Sequence, residues 1–142
     1  MELTKYTREM FENLPVVDGI KNCPTGDYSI IRDFQGNCHF GDYCEFEEQC
    51  EFGTACTFGN YCEFGKYCLF GSDCEFGIYC SFGERCEFKH CVFGFSCRFD
   101  SRCGFESDCS FGEQCEFESD CEFEVGCEFN AFCEFGGGCC FI

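Results

Sequence analysis

The chain has 142 residues and a formal net charge of −18, and its composition is dominated by 22 phenylalanines, 20 cysteines and 17 glycines. A chain of this length forms one domain. Its acidic surface would repel nucleic acid and anionic lipid, so we expect neither a direct nucleic-acid partner nor a membrane. The first ten residues hold no hydrophobic stretch suited to secretion, which predicts a cytoplasmic protein with reduced thiols.

Residues 1–33 lack the repeat that fills the rest of the chain, and we predict that they form an N-terminal cap of a helix, a turn and a leading strand. Pro24–Asp27 is typical of a turn, and Tyr28–Arg32 is typical of a strand that feeds the repeat. A short helix ending at Pro15 is predicted because five apolar residues lie near one helical stripe: Leu3, Tyr6, Met10, Phe11 and Leu14. Terminal repeats need such a cover; a binding role for the helix is the alternative.

A six-residue period governs the chain from Cys38 to Cys139. A cysteine returns at every sixth position, apart from one five-residue step between Cys86 and Cys91, and a phenylalanine follows two places after nearly every cysteine. A fixed short period indicates one structural unit stacked on copies of itself. Because strand side chains alternate, the Cys and Phe of each Cys-x-Phe share one face, and the residue between them, Glu in nine units, faces solvent.

The unit, cut before phenylalanine, reads Phe-Gly-x-x-Cys-x over residues 34–142. It resembles the hexapeptide repeat of left-handed parallel β-helix proteins, with Phe and Cys replacing the usual aliphatic and small residues. The resemblance implies an all-β, left-handed, three-sided parallel β-helix. We attribute the glycine after phenylalanine to a corner that needs permissive dihedral angles.

The length of one coil is predicted from the tyrosines. Tyr43, Tyr61 and Tyr79 are eighteen residues apart, or three units, which favours a three-sided coil and about six coils, a rod of about 29 Å. Tyr67 occupies the same place within its unit but lies one unit after Tyr61, so it falls on a different corner of a three-sided coil. A four-sided or widened cross-section is the alternative, and the right-handed pentapeptide-repeat helix is the nearest rival architecture.

The cysteines are interpreted as small apolar residues of the interior, since eighteen of the twenty fall in the inward column. Metal sites use paired ligands such as Cys-x-x-Cys, which the chain lacks, so we expect no metal and no cofactor. Disulfides or metal binding are the alternatives. Cys23 and Cys140 fall outside the inward column and are the candidate reactive thiols.

A candidate interaction surface lies along one corner, where Tyr43, Tyr61 and Tyr79 would form a ladder with Phe95 and Phe132 near the same corner further along. Tyrosine is favoured at protein interfaces; a ladder that stacks on itself for stability is the alternative. The repeat runs to Phe141-Ile142 without a second cap, and open strand edges invite pairing. We therefore predict a homo-oligomer, associating end to end or side by side.

The five-residue step around Lys89-His90 has two interpretations. It is either a tolerated deletion that pinches one corner or a bend that shapes a binding surface.

Enzyme function is less favoured than a structural role. Many proteins of the hexapeptide class are acyltransferases, usually trimers with a catalytic histidine near a subunit interface and loops that interrupt the coils. Only His39 and His90 are present, and no loop interrupts the repeat. A general base needs an orienting partner and a pocket, so we assign no catalytic residue. The zinc carbonic anhydrases of the same fold use three histidine ligands, so the two histidines of this chain argue against that class.

The sequence therefore favours a non-enzymatic, acidic structural or protein-binding solenoid. The first alternative is an acyltransferase-like protein of the hexapeptide class. The second is an acidic rod that imitates DNA and binds a basic protein, although the same charge also serves solubility.

Overall fold

The computed structural model describes residues 2–142 and is an all-β solenoid of about seven turns. Each full turn contributes one short strand to each of three parallel sheets, and equivalent residues of neighbouring turns are paired, as Phe58 is with Phe76. The three-sided, 18-residue coil predicted from the tyrosines is confirmed, which excludes the four-sided alternative.

The strands are mostly two residues long, and the three sheets are named here by their members. Sheet I comprises β1 (Val16–Val17), β2 (Ile20–Cys23), β4 (Asn37–Phe40), β7 (Thr57–Phe58), β10 (Glu75–Phe76), β13 (Val92–Phe93), β16 (Ser110–Phe111) and β19 (Glu128–Phe129). Sheet II comprises β5 (Glu45–Phe46), β8 (Glu63–Phe64), β11 (Ser81–Phe82), β14 (Arg98–Phe99), β17 (Glu116–Phe117) and β20 (Glu134–Phe135). Sheet III comprises β3 (Asp33–Phe34), β6 (Glu51–Phe52), β9 (Leu69–Ser72), β12 (Glu87–Lys89), β15 (Gly104–Phe105), β18 (Glu122–Phe123) and β21 (Cys140–Phe141).

The interior is a column of phenylalanine rings. Rings one turn apart lie parallel, as Phe64 and Phe82 do at 4.8 Å between centroids and 4° between planes. Rings of neighbouring sheets meet edge to face, as Phe64 and Phe70 do at 5.2 Å and 80°. Both geometries suit the charge distribution of aromatic rings. Every repeat phenylalanine from Phe34 to Phe123 is buried, so the predicted inward register is confirmed.

The cysteines fill the space beside the rings and also act as weak donors. The Cys62 and Cys80 thiols donate to the carbonyls of Gly41 and Gly59 at 3.4 Å, each at the corner one turn back. A small apolar side chain with an S–H suits this place, because it fills volume and satisfies a carbonyl at the same time.

From Cys44 to Cys139 the corners are formed by the residue that precedes each repeat cysteine. This residue has a left-handed backbone, with φ of 61° at Gln49, 57° at Ala55 and 60° at Tyr61. Our attribution of the corner dihedrals to the glycine after phenylalanine is therefore wrong. That glycine is needed for close approach: a Cβ at Gly83 would lie 2.5 Å from the Lys66 nitrogen and 2.6 Å from the Gly65 carbonyl carbon of the turn before.

The N-terminal segment covers the first turn with less helix than predicted. The helix α1 spans only Arg8–Glu12, capped by Thr7, whose hydroxyl accepts from the Met10 N–H. Tyr6 lies outside it because residues 4–6 are extended against Asp27. Tyr6 stacks on Tyr28 at 4.6 Å, and Phe11 meets Phe34 edge to face at 5.1 Å.

The solenoid begins earlier than the phenylalanine repeat, which adds one turn to the six predicted. β2 pairs in parallel with β4, and Asp27 bridges to Glu45. The strand predicted at Tyr28–Arg32 is wrong, because Ser29 and Ile30 form a turn in which the Asp27 carboxylate accepts from the Ser29 N–H at 2.9 Å. Tyr28 and Ile31 are nevertheless buried in the core.

The five-residue step is absorbed at a corner. β12 shifts register against β9, so that Glu87 pairs with Leu69 but Lys89 pairs with Ser72. His90 makes the shortened corner with φ of 51°, while Phe88 and Cys91 on either side stay buried. The inward column is thus continuous across the step.

Candidate interaction surface

Three tyrosines form a ladder on the corner between sheets I and II. Tyr43, Tyr61 and Tyr79 each occupy the left-handed position before a cysteine, and the 18-residue turn places them directly above one another. Neighbouring rings are parallel, with centroids 5.1 Å apart and planes within 6°. The rings are 43–49% exposed. Because their faces cover one another, the ladder presents ring edges to solvent.

The same corner is stiffened by a second ladder of side-chain hydrogen bonds. The Asp42 carboxylate accepts from the Asn60 N–H at 2.8 Å, and the Asn60 amide oxygen accepts from the Ile78 N–H at 3.0 Å. Each of these groups reaches one turn along the solenoid. The backbone that carries the tyrosines is therefore held in place by side-chain hydrogen bonds between neighbouring turns.

The two phenylalanines predicted near this corner extend the aromatic surface unevenly. Phe95 meets Tyr79 edge to face at 5.7 Å, whereas Phe132 is 78% exposed and lies three turns below Tyr79. Ser96 and Gln114 occupy the corner between them. The interruption leaves a shallow depression of about 510 Å³ between Tyr79 and Phe132, crossed by the ion pair of Arg98 and Glu116 at 2.8 Å.

A further aromatic contact was missed in the sequence. At the corner between sheets II and III, the Arg85 guanidinium lies 5.7 Å from the Tyr67 ring and donates to its hydroxyl at 3.2 Å. The signal was the eighteen-residue spacing of Tyr67 and Arg85.

Carboxylates of neighbouring turns face each other on the outside of the sheets. Glu45 pairs with Glu63, and Glu116 with Glu134, on sheet II. The pKa of the Glu45 carboxyl is raised, mainly because the group is partly buried. The nearby negative charges of Glu63, Asp27 and Glu47 raise it further. For Asp27, burial acts in the same direction but is outweighed by hydrogen bonds from Ser29 and by the charge of Lys5, which lower its pKa.

The two candidate reactive thiols lie in different environments. Cys140 is exposed, in the outward place of β21 that pairs with Glu122. Cys23 lies outside the column of repeat cysteines, because it pairs with Phe40 and so occupies a phenylalanine place, and it is buried there. Of the inward thiols, those in the last turn, Cys127, Cys133 and Cys139, are half-buried. Burial raises the pKa of the Cys109 thiol one turn above Cys127.

The histidines lie apart from each other. His39 is on the outer face of β4, and the Nδ1 atom of His90 lies 3.8 Å from the Asp108 carboxylate at the shortened corner. Residues 2–142 contain no cluster of three or more His, Cys, Asp or Glu side chains placed to hold a metal ion. The same residues include no helix with the length and hydrophobicity to cross a membrane.

Comparisons with known proteins give no family assignment: no protein-family model, no curated protein and no solved structure matches the chain.

Proposed function

We propose that the protein is a non-enzymatic, acidic β-solenoid of the left-handed hexapeptide class that acts in the cytoplasm as a rigid structural or protein-binding rod and associates with itself. The observation that carries the proposal is the continuity of the aromatic core. Each repeat phenylalanine from Phe34 to Phe123 lies parallel to the ring one turn further on, including the pair Phe70 and Phe88 next to the five-residue step.

Continuous stacking supports a mechanical role. Bending the rod at any turn would separate the parallel ring pairs on the outer side of the bend and compress those on the inner side, and each aromatic pair contributes about 0.5–1.5 kcal/mol beyond burial. The five-residue step, the one irregularity of the repeat, leaves the ring column intact. The arrangement therefore favours a stiff body.

The class assignment is supported by the repeat unit and by its geometry. Six residues make one side, three sides make one turn, and the large and small apolar places point inward. Phenylalanine is bulkier than the aliphatic residues usual in this class, and rings of neighbouring sheets pack edge to face to fill the interior.

The Tyr43–Tyr61–Tyr79 ladder is the surface that we assign to protein contacts. Its rings need little further ordering on binding, since their neighbours already hold them, and an ordered aromatic surface lowers the entropic cost of association. A partner would meet tyrosine hydroxyls and ring edges at a regular spacing along the corner.

Solution scattering combined with sedimentation tests the proposal. We expect a rigid particle about 34 Å long per copy, from seven layers at about 4.8 Å, and mass that rises with concentration. A melting assay with acyl-CoA is the matched test of the enzymatic alternative. A flexible particle, or a melting temperature that acyl-CoA raises, would contradict the proposal.

A second candidate, imitation of DNA, is favoured by the density of charge. Residues 34–142 carry 21 acidic and 5 basic side chains, and their net −16 over about 29 Å is about one charge per 1.8 Å, close to the ~1.7 Å of duplex DNA. Core histones provide a basic probe, with binding measured against salt. Binding that duplex DNA displaces would support imitation; binding to histones no tighter than that of another acidic protein of equal charge would exclude it.

A further inference from the structure

The inward thiols of the repeat stand in three columns, one for each sheet, because every turn places its cysteines at the same points of the cross-section. All of them are free thiols. The column of sheet I comprises Cys38, Cys56, Cys74, Cys91, Cys109 and Cys127. The column of sheet II comprises Cys44, Cys62, Cys80, Cys97, Cys115 and Cys133. The column of sheet III comprises Cys50, Cys68, Cys86, Cys103, Cys121 and Cys139.

Neighbouring thiols of a column share a backbone carbonyl. The Gly65 oxygen lies 3.3 Å from the Cys68 sulfur and 3.3 Å from the Cys86 sulfur one turn further on, and both sulfurs are fully buried. In the same way, the Glu47 oxygen lies 3.2 Å from the Cys50 sulfur and 3.4 Å from that of Cys68. Sulfur and oxygen atoms therefore alternate along the column, and each thiol has one hydrogen for two carbonyl oxygens.

The spacing of two sulfurs across a shared carbonyl fits a metal ion. The Phe70 and Phe88 rings of the same two turns lie 4.8 Å apart, and equivalent atoms of neighbouring strands repeat at about 4.8 Å. The point midway between the Cys68 and Cys86 sulfurs is then about 2.4 Å from each sulfur and about 2.3 Å from the Gly65 oxygen. Metal–sulfur bonds are about 2.3 Å long and metal–oxygen bonds about 2.0–2.2 Å.

We infer that the columns bind a soft divalent metal cation, mercury(II), each ion held in line between the sulfurs of two neighbouring turns. Thiolates are the form of cysteine that binds metals, and soft cations prefer them. Two S–H bonds break, two metal–sulfur bonds form and two protons pass to solvent, with no change of oxidation state. A dication with two thiolates is neutral, which suits a dry interior in which an unpaired charge is costly. The shared carbonyl oxygen then faces the ion instead of a thiol hydrogen.

Two other fates of the same thiols fit the geometry less well. A disulfide needs its sulfurs about 2.0 Å apart, so two thiols one turn apart would have to give up more than half of their separation. Structural zinc takes four ligands in a tetrahedron, and residues 2–142 bring together no three His, Cys, Asp or Glu side chains for a metal ion. The two-sulfur site requires neither a large movement nor a third side chain.

Binding between turns should stabilise the solenoid. Each ion joins two neighbouring turns at points that the unfolded chain does not hold together, and a ligand that binds the folded state alone raises its stability. Because the column thiols in the middle of the rod are buried, an ion reaches them only through transient local opening. Uptake there should therefore be slower than reaction of the exposed Cys140 thiol.

Incubation of the full, reduced chain with mercury(II) chloride tests the inference. Native mass spectrometry counts the bound ions, and X-ray absorption counts the sulfurs around each. We expect one ion for every two column thiols, two sulfurs per ion at about 2.3 Å, two protons released per ion, an unchanged sheet signal in circular dichroism and a higher melting temperature. Zinc chloride at the same concentration should not raise the melting temperature.

Two serine variants provide a matched comparison. Cys68→Ser leaves Cys50 without a neighbouring thiol in its column, so the number of ions bound by two sulfurs should fall by one. Cys140→Ser makes the same change at the exposed cysteine outside the columns and should leave the rise in melting temperature unchanged. X-ray absorption of the parent chain needs no variant, so the inference stays testable if Cys68→Ser does not fold.

The outcomes divide clearly. Two-sulfur ions in a chain that keeps its sheet signal, fewer of them in Cys68→Ser, support the inference. Three or four sulfurs per ion, loss of the sheet signal on uptake, or equal uptake by Cys68→Ser and the parent chain would overturn it. Mercury(II) bound only when denaturant is present would overturn it as well, since ordinary unfolded thiols would then account for the binding.

Discussion

Phe76 represents the environment of a phenylalanine in the middle of the rod. Its ring lies parallel to those of Phe58 and Phe93, both at 4.8 Å, and meets Phe70 and Phe82 edge to face. Around Phe76 the interior is filled by such rings and by thiols. Each ring thus supports rings above, below and beside it, and its removal leaves a cavity that they cannot close.

Phe76→Ala should lower the free energy of unfolding by ~3–5 kcal/mol, because it removes buried aromatic surface and leaves a cavity. Phe132→Ala is the control at an exposed ring, with an expected change within ~0.5 kcal/mol. Guanidinium titration followed by circular dichroism measures both. Equal stability of Phe76→Ala and the parent protein would show that the ring is not in the interior.

The choice of cysteine at the small inward place follows from the contact of its thiol. Cys80 donates to the Gly59 carbonyl at 3.4 Å and is fully buried. Alanine would leave the carbonyl without a donor, and larger aliphatic residues would crowd the rings. The thiol meets both requirements.

Cys80→Ala should therefore cost about 1–2 kcal/mol, from the lost sulfur volume together with the lost weak hydrogen bond. Cys140→Ala, at the exposed cysteine, should be neutral. Urea denaturation compares the two variants. An unchanged midpoint for Cys80→Ala would mean that the thiol contributes nothing to the interior.

At the scale of the strand and the corner, six residues suffice for one side because the chain turns in a single left-handed residue. The next side then begins at cysteine, and the glycine after phenylalanine lets the preceding turn approach closely. Gly104 is different: it lies in an outward place on β15, and the atom nearest to a Cβ there would be Glu87 Cγ at 4.0 Å.

Gly83→Ala and Gly104→Ala test the role of close approach. Alanine at Gly83 would press on the Lys66 and Gly65 backbone and should destabilise by about 1–3 kcal/mol. At Gly104 the same change meets open space and should be neutral or slightly stabilising. Thermal melts of the two variants measure the difference. Equal changes in melting temperature at both positions would argue against close packing at the corners.

The positions of the strands and of their inward residues can be predicted from the spacing of Cys and Phe. A unit of six residues with two inward side chains has the length of one side of a narrow solenoid. The number of sides follows from Tyr43, Tyr61 and Tyr79. Other features depend on contacts between turns. The inward position of Cys23 is set by its pairing with Phe40, and the burial of Tyr28 by its contacts with Tyr6 and Phe46. No local pattern in the sequence carries either of them.

At the scale of the whole molecule, the net charge of −18 opposes the folded state through repulsion between like charges. The pKa of Glu45 is raised in the folded protein relative to its ordinary value of 4.5, so the folded state binds that proton more tightly than the unfolded chain. Its ionisation at neutral pH therefore costs stability, and the cost disappears as the pH falls toward 4.5. Asp27 acts in the opposite sense and stabilises only while it is ionised, above its ordinary value of 3.8.

The melting temperature should accordingly rise as the pH is lowered from 7 toward 4.5, and it should fall again below pH 3.8. Adding 1 M salt at pH 7 should raise it for the same reason, through screening of like charges. Glu45→Gln should raise stability at pH 7 and reduce the gain on acidification. A melting temperature that falls steadily from pH 7 to pH 5 would contradict this electrostatic account.

The account as a whole depends on a dry interior of rings and thiols, and timed thiol labelling tests it most directly. Of twenty free cysteines, sixteen are buried, three are half-buried in the last turn and Cys140 is exposed. With a thiol reagent in native buffer, we predict rapid labelling of Cys140, slower labelling of Cys127, Cys133 and Cys139, and labelling of all twenty only after denaturation. Rapid native labelling of Cys62, Cys80 or their equivalents, or fewer than twenty reactive thiols in denaturant without reductant, would contradict it.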